Sequence, residues 1–134
     1  MAKIVIYEDG ESDLISRYSR LTAEHEIHVR HSPRGEFGPS SLKWDYSTFK
    51  KRGFDTSKFQ NGYGTPSEEA ADLFFVDGLN GYCFEIVEQL PRERTFINSD
   101  SATIHKLAKE RGFNFLGEND SVEGIVKKVL EQNK

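Results

Sequence analysis

Residues 3–9 read Lys-Ile-Val-Ile-Tyr-Glu-Asp, and residues 72–77 read Asp-Leu-Phe-Phe-Val-Asp. Each stretch is a short apolar run that ends in acids: Glu8 and Asp9 in the first, and Asp77 in the second. Unbroken apolar runs of this length are typical of strands that are buried on both faces of a parallel sheet. Ligands of such sheets bind beyond the carboxyl ends of the strands. If the two strands are neighbours, the three carboxylates therefore share one pocket, which favours a divalent cation or a shared proton.

The rest of the chain alternates apolar runs with segments that are apolar at helical spacing. The predicted strands cover residues 3–7, 26–30, 73–76, 95–98 and 113–116. The predicted helices cover residues 12–23, 84–90 and 101–111, with a last helix that starts near residue 120. This alternation predicts an α/β fold: a flavodoxin-like, doubly wound, five-stranded parallel sheet in a single domain over residues 1–134.

Residues 32–67 break this alternation. The segment contains seven aromatic residues, three of the four prolines and five glycines, and it lacks a clear amphipathic stripe. A structureless loop of this length is uncommon inside a compact domain. We therefore predict an ordered insertion, in which most of the aromatic side chains fold onto the sheet and the remainder form a surface for a partner.

Composition limits the classes of function. The formal net charge of −4 makes a nucleic-acid partner unexpected. A single cysteine, Cys83, excludes an internal disulfide and fits a reducing compartment. The sequence contains no apolar run long enough for a membrane span and begins directly with a strand instead of a signal peptide. These features predict a cytoplasmic domain that does not enter a membrane.

The acids and the residues that follow the fourth and fifth predicted strands resemble the receiver domain of bacterial response regulators. The resemblance covers most of the chain outside residues 32–67. It implies that Glu8 and Asp9 bind Mg²⁺, and that Asp77 binds the same ion and accepts a phosphoryl group. It also implies that the backbone carbonyl of Leu79 contacts the metal.

The same resemblance assigns two further roles and exposes two departures. Ser99 matches the hydroxyl that bonds the phosphoryl group, and Phe115 matches the aromatic switch residue. Glu118 stands where the family has a lysine, and Asp100 stands where the family has a small residue. Each added negative charge opposes an incoming phosphoryl group by ~1 kcal/mol or more.

The resemblance implies a signalling module of the two-component type that binds another protein, either a kinase or a downstream partner, and that can form a homodimer. In this role the chain is not an enzyme, except for phosphorylation and dephosphorylation of its own Asp77.

Two other functions stay open. Residues 7–13, Tyr-Glu-Asp-Gly-Glu-Ser-Asp, resemble the glutamate motif of Toprim-type nuclease domains, which favours a Mg²⁺-dependent phosphotransfer enzyme. That family also needs two aspartates one residue apart after a later strand, and Asp77-Gly78-Leu79 lacks the second. A flavodoxin-like cofactor binder would need a phosphate-binding loop after the first strand, where this chain places acids.

Overall fold

The computed structural model describes residues 2–8, 10–31, 50–58 and 70–132. Its strands are β1 Lys3–Tyr7, β2 Glu26–His31, β3 Phe54–Lys58, β4 Leu73–Asp77, β5 Thr95–Asn98 and β6 Asn114–Phe115. The helices with described bounds are α1 Glu11–Tyr18, α2 Cys83–Val87, α3 Ala102–Arg111 and α4 Val122–Gln132. Short 3₁₀ turns cover Ser19–Ala23, Leu79–Gly81 and Arg92–Arg94.

The strands form one parallel sheet in the order β3-β2-β1-β4-β5-β6. The prediction of a doubly wound parallel sheet in an α/β fold is confirmed, and all five predicted strands are present. The sheet runs outward from β1 in one direction and from β4 in the other, so the strand order reverses between these two strands.

The sixth strand, β3, comes from the insertion. It pairs in parallel with β2, from Ile27 beside Phe54 to His31 beside Lys58. Phe54 is only 1% exposed and joins the core, as an aromatic residue of this segment was expected to do. The strand was not predicted because Phe54 is its only apolar residue and because β2 is its only partner among the described strands. Residues 32–49 and 59–67 of the insertion lie outside the described residues.

Two apolar layers cover the two faces of the sheet. Successive residues of β1 alternate between them, so that Ile4 and Ile6 face one layer while Val5 and Tyr7 face the other. The first layer takes its helical side chains from α1 and α4. The second layer takes them from α2 and α3. Burial on both faces explains why β1 has no polar residue between its ends.

The helix ends follow from local chemistry. The Ser101 hydroxyl caps α3 by accepting a hydrogen bond from the backbone N–H of Ile104, and Gly112 ends the helix in the left-handed conformation, as predicted. The predicted helix over residues 12–23 is instead α1 followed by a 3₁₀ turn. In that turn the Thr22 hydroxyl donates to the carbonyl of Ser19 at 2.8 Å, a bond that competes with α-helical pairing. Within the described part of the chain, no helix is both long and apolar enough to cross a membrane.

Candidate functional site

The carboxyl ends of β1 and β4 meet where the strand order reverses. The register pairs Tyr7 with Val76, so the next residues of the two strands, Glu8 and Asp77, lie side by side. Ligands of doubly wound sheets bind in the crevice outside such a reversal. The fold thus brings two of the predicted carboxylates together at the edge of the sheet where a ligand is expected.

Glu8 is the most deeply buried acid of this site, with no exposed surface. Its Oε1 accepts a hydrogen bond from the backbone N–H of Gly10 at 3.1 Å. Its Oε2 is also buried and receives no hydrogen bond from the described residues. Burial, followed by the neighbouring charge of Asp77, raises the pKa of Glu8 well above its ordinary value. A carboxylate in this position is stabilised by a proton or by a nearby cation.

Asp13 is the third acid of the cluster and was not predicted. Oxygens of Glu8, Asp13 and Asp77 all lie within 4.8 Å of one another, a spacing that can hold a metal ion. Asp13 lies in the first turn of α1, whose N-cap is Gly10. A Cβ atom at Gly10 would lie 3.3 Å from Asp13 Oδ2 and 3.5 Å from Glu8 Oε1. A side chain at Gly10 would therefore touch both acids and crowd only Asp13, by a few tenths of an ångström.

A cation from α1 reaches into this acidic cluster. The Arg17 Nη1 atom donates to Asp77 Oδ1 at 3.0 Å and to the carbonyl of Asn98 at 3.1 Å. The same nitrogen lies 3.6 Å from Glu8 Oε2, the oxygen that receives no hydrogen bond. Nη2 donates outward to Asp100 Oδ2 at 3.2 Å. One guanidinium therefore joins the buried end of the site to its exposed rim.

Arg17 carries a positive charge throughout the physiological pH range. Burial alone lowers the pKa of its guanidinium, but the charges of Glu8 and Asp13 outweigh burial, and the pKa is raised above its ordinary value. Only 18% of the side chain is exposed. Because one cation faces several acids, the site keeps an excess of negative charge. We refer to Glu8, Asp13, Asp77 and Arg17 together as the acidic pocket.

Ser99 lies beside the loop that follows Asp77. A Cβ atom placed on Gly78 would come within 2.7 Å of the Ser99 hydroxyl oxygen, which shows how closely the two loops pack. The hydroxyl accepts a hydrogen bond from the backbone N–H of Ser101 at 3.1 Å. The cap of α3 is Ser101 and not Ser99, so the Ser99 hydroxyl holds the loop that enters the helix.

Leu79 adopts a left-handed backbone conformation, with φ of 50°, which is uncommon for a residue with a side chain. Its N–H donates to Asp77 Oδ2 at 3.2 Å. Its carbonyl, the predicted metal contact, accepts a hydrogen bond from the N–H of Tyr82 at 3.0 Å. The backbone amide of Leu79 therefore holds the Asp77 carboxylate. The carbonyl of Leu79 instead takes part in the following 3₁₀ turn.

Phe115, at the predicted switch position, is half-buried on β6. Its ring stacks on His105 of α3, with 5.0 Å between the ring centroids. His105 also bonds through Nε2 to the backbone carbonyl of Ser99. One imidazole thus connects the aromatic ring of β6 to the loop that carries Ser99.

The two departures from the receiver pattern, Asp100 and Glu118, are both exposed but differ in their ion pairing. The side chain of Asp100 is 96% exposed at the rim, where it pairs with Arg17. Glu118 is exposed as well, and among the described residues it forms no ion pair. Asp9, the remaining predicted metal ligand, lies outside the described residues.

Arg17 and Asp13 are the residues of the site that the sequence pattern did not reveal. Both belong to a helix that was predicted, and they are four positions apart, so they lie on one face of α1. Arg17 also precedes the fully buried Tyr18, which places it beside the inward stripe of the helix. This position on the helix was the sequence feature that could have indicated Arg17 as a site residue. Which groups the arginine side chain contacts depends on the tertiary packing.

The side chains of the acidic pocket suit Mg²⁺ by their chemistry. Three carboxylates supply the hard oxygen ligands that this ion prefers, and Glu8 Oε2 receives no hydrogen bond from the described residues. The Arg17 guanidinium, however, already contacts Asp77 and lies close to Glu8. The carboxylates fit the ion, whereas the guanidinium in its present position competes with it for the same oxygens.

Comparison with known proteins identifies no relative: no protein-family model, curated protein or solved structure matches this chain.

Proposed function

We propose that this chain is an atypical receiver-like signalling module that acts by binding another protein and that balances the charge of its acidic pocket with Arg17. The partner is a kinase, a downstream protein or a second copy of the chain. In this proposal, Asp77 works as an ion-paired structural acid and is not the operating phosphoacceptor.

Two features of the fold support a receiver-like module. Glu8 and Asp77 end adjacent strands at the point where the strand order reverses. Ser99 lies on the next loop along the sheet and packs against Gly78, beside the acceptor position. These placements match the roles that the resemblance assigns to the three residues.

The observation that carries the proposal is the state of the Asp77 carboxylate. Oδ1 accepts a hydrogen bond from Arg17, and Oδ2 accepts one from the backbone N–H of Leu79. Transfer of a phosphoryl group to Asp77 would require one of these oxygens to attack phosphorus, and a hydrogen bond to each oxygen lowers its nucleophilicity. A charge-assisted bond to arginine also stabilises the carboxylate and reduces its tendency to react.

The test combines beryllofluoride, acetyl phosphate and Mg²⁺. We expect the amide NMR signals of Ser99 and Phe115 to show no beryllofluoride-dependent shift, and intact-mass spectrometry to detect no phosphate on the protein after acetyl phosphate treatment. The control is Asp77→Asn, which lacks the acceptor and should give the same result as the unmodified chain. Stoichiometric phosphorylation that disappears in Asp77→Asn would overturn the proposal.

A second candidate function is Mg²⁺-dependent cleavage of phosphoesters, and Asp13 is the observation that favours it. The sequence lacks the paired aspartates after a later strand, but Asp13 brings a third carboxylate to Glu8 and Asp77 from α1. Hydrolysis of bis-p-nitrophenyl phosphate in the presence of Mg²⁺ or Mn²⁺, lost in Glu8→Gln and retained in Glu110→Gln, would establish this activity in place of the first proposal.

A further inference from the structure

We infer that Arg17 is a displaceable internal counter-ion, so that its guanidinium and a divalent cation occupy the acidic pocket in alternation. Glu8, Asp13 and Asp77 would hold the cation. This inference deepens the proposed function, on which it rests, by naming how the state of the pocket is controlled.

The Glu8 Oε2 atom lacks a direct partner. It is buried and receives no hydrogen bond from the described residues, and the Arg17 Nη1 atom is 3.6 Å away. That distance is beyond hydrogen-bonding range. Arg17 therefore offsets the charge of Glu8 without satisfying the oxygen, and a ligand that bonds directly to Oε2 would interact with it more strongly.

Arg17 and a metal ion would compete for the same carboxylate. Arg17 Nη1 lies 3.0 Å from Asp77 Oδ1, and Asp77 is one of the three acids whose oxygens can hold a metal. A divalent ion bound between Glu8, Asp13 and Asp77 would face the guanidinium at a few ångströms. Repulsion between a double and a single positive charge at such a range is strong, even with substantial screening. The two cations therefore exclude each other from the inner end of the pocket.

Arg17 has a second position available when it leaves the inner end of the pocket. Its outer nitrogen, Nη2, already bonds to Asp100, whose side chain is 96% exposed. Asp100 follows Ser99 on the loop between β5 and α3. Arg17 can therefore move outward without losing this partner, while it releases the carbonyl of Asn98 and the cation replaces it as the ionic partner of Asp77. Entry of the cation would then change the hydrogen bonds of Arg17 to Asn98 and Asp100, the residues on either side of Ser99.

The experiment compares binding of Mg²⁺ and Mn²⁺ by the unmodified chain and by Arg17→Gln, using calorimetry for both ions and paramagnetic NMR broadening for Mn²⁺. We expect Arg17→Gln to bind about tenfold more tightly or better, because the competing charge is gone. Arg20→Gln is the matched control: it removes one arginine charge from the next turn of the same segment, and its affinity should stay that of the unmodified chain. Asp13→Asn should weaken binding in the Arg17→Gln background.

A second measurement follows Arg17 directly. The side-chain Nε–Hε signal of Arg17 should shift as Mg²⁺ saturates the unmodified chain, and Arg17→Lys serves as a milder variant if Arg17→Gln does not fold. Equal or weaker metal affinity after Arg17 is replaced, or saturation that leaves the Arg17 signal unmoved, would overturn the inference. The proposed function fails on a different readout, the phosphorylation of Asp77, so the two failures can be told apart.

Discussion

Glu8 shows how one buried carboxylate makes stability depend on pH. Its pKa is raised by burial first and by Asp77 second, so the folded chain binds the Glu8 proton more tightly than the unfolded chain does. The contribution of Glu8 to stability is therefore complete below the unfolded-state pKa of about 4.3 and is lost as the pH rises through the folded-state pKa. Above the folded-state pKa, the ionised Glu8 carboxylate opposes folding.

Replacing Glu8 by glutamine tests this reasoning. We expect Glu8→Gln to raise the free energy of unfolding at pH 8, where the folded chain no longer gains from binding the Glu8 proton, and to change it little near pH 4. Arg17 keeps Asp77 and Asp100 as partners in the variant. Urea denaturation at several pH values measures the difference, and Glu110→Gln on the exposed face of α3 is the control. A variant that is less stable than the original at pH 8 would contradict this prediction.

Cys83 provides a second prediction for a single side chain. Burial, with a smaller effect from Asp77, raises the pKa of its thiol to about 12. The thiolate is the reactive form, and the residue has no exposed surface. We expect native Cys83 to resist Ellman's reagent at pH 8 and to react fully in urea, as followed by absorbance. Rapid reaction in the native state would show that α2 opens readily.

Among the helices, α3 offers a test of how the sequence specifies the end of a helix. Gly112 adopts φ of 77° at its C-terminus, a conformation that costs a residue with a side chain about 1 kcal/mol. A Cβ atom there would also lie 3.2 Å from an Arg92 nitrogen. We expect Gly112→Ala to lower the free energy of unfolding by about 1 kcal/mol in urea titrations.

Gly117→Ala is the matched control for that experiment. Gly117 does not adopt a positive φ, and a Cβ atom there meets only Asp120 Oδ2 at an ordinary 3.4 Å. Equal losses in the two variants would mean that the left-handed conformation of Gly112 does not account for its effect.

The same elements show what the sequence can and cannot specify. β1 and β5 have the bounds that were predicted, because each contains apolar residues flanked by polar residues or turn signals. β3 was not predicted, because an edge strand is held by backbone pairing with one neighbour and needs little apolar pattern. The 3₁₀ turn after α1 was also missed, because Leu21 continues the apolar spacing of the helix and the pattern does not distinguish a 3₁₀ turn from an α-helical one.

The acidic pocket was predictable in part for a related reason. Strand ends are fixed by the fold class, so the meeting of Glu8 and Asp77 followed once the two strands were taken as neighbours. Asp13 and Arg17 extend from a helix, and their contacts depend on the angle at which α1 packs and, for Arg17, on the conformation of a long side chain. Such contacts depend on tertiary geometry, which a local pattern of residues in the sequence does not predict.

For the molecule as a whole, the sheet order predicts a gradient of stability against local unfolding. β1 and β4 are paired on both sides and buried on both faces, whereas β3 pairs only with β2 among the described strands. Amides such as those of Ile6 and Phe75 should therefore exchange only through global unfolding, while the amides of β3 exchange through smaller openings.

Native-state hydrogen exchange measures this gradient. We expect the amides of β3 that bond to β2 to exchange at least about tenfold faster than those of β1 and β4, a difference of about 1.4 kcal/mol in opening free energy. Phe54 anchors β3 in the core with 1% exposure, so Phe54→Ala should accelerate exchange in β3 more than in β4. If β3 were as protected as β4, or if Phe54→Ala accelerated all strands equally, the insertion would belong to the same cooperative unit as the central sheet.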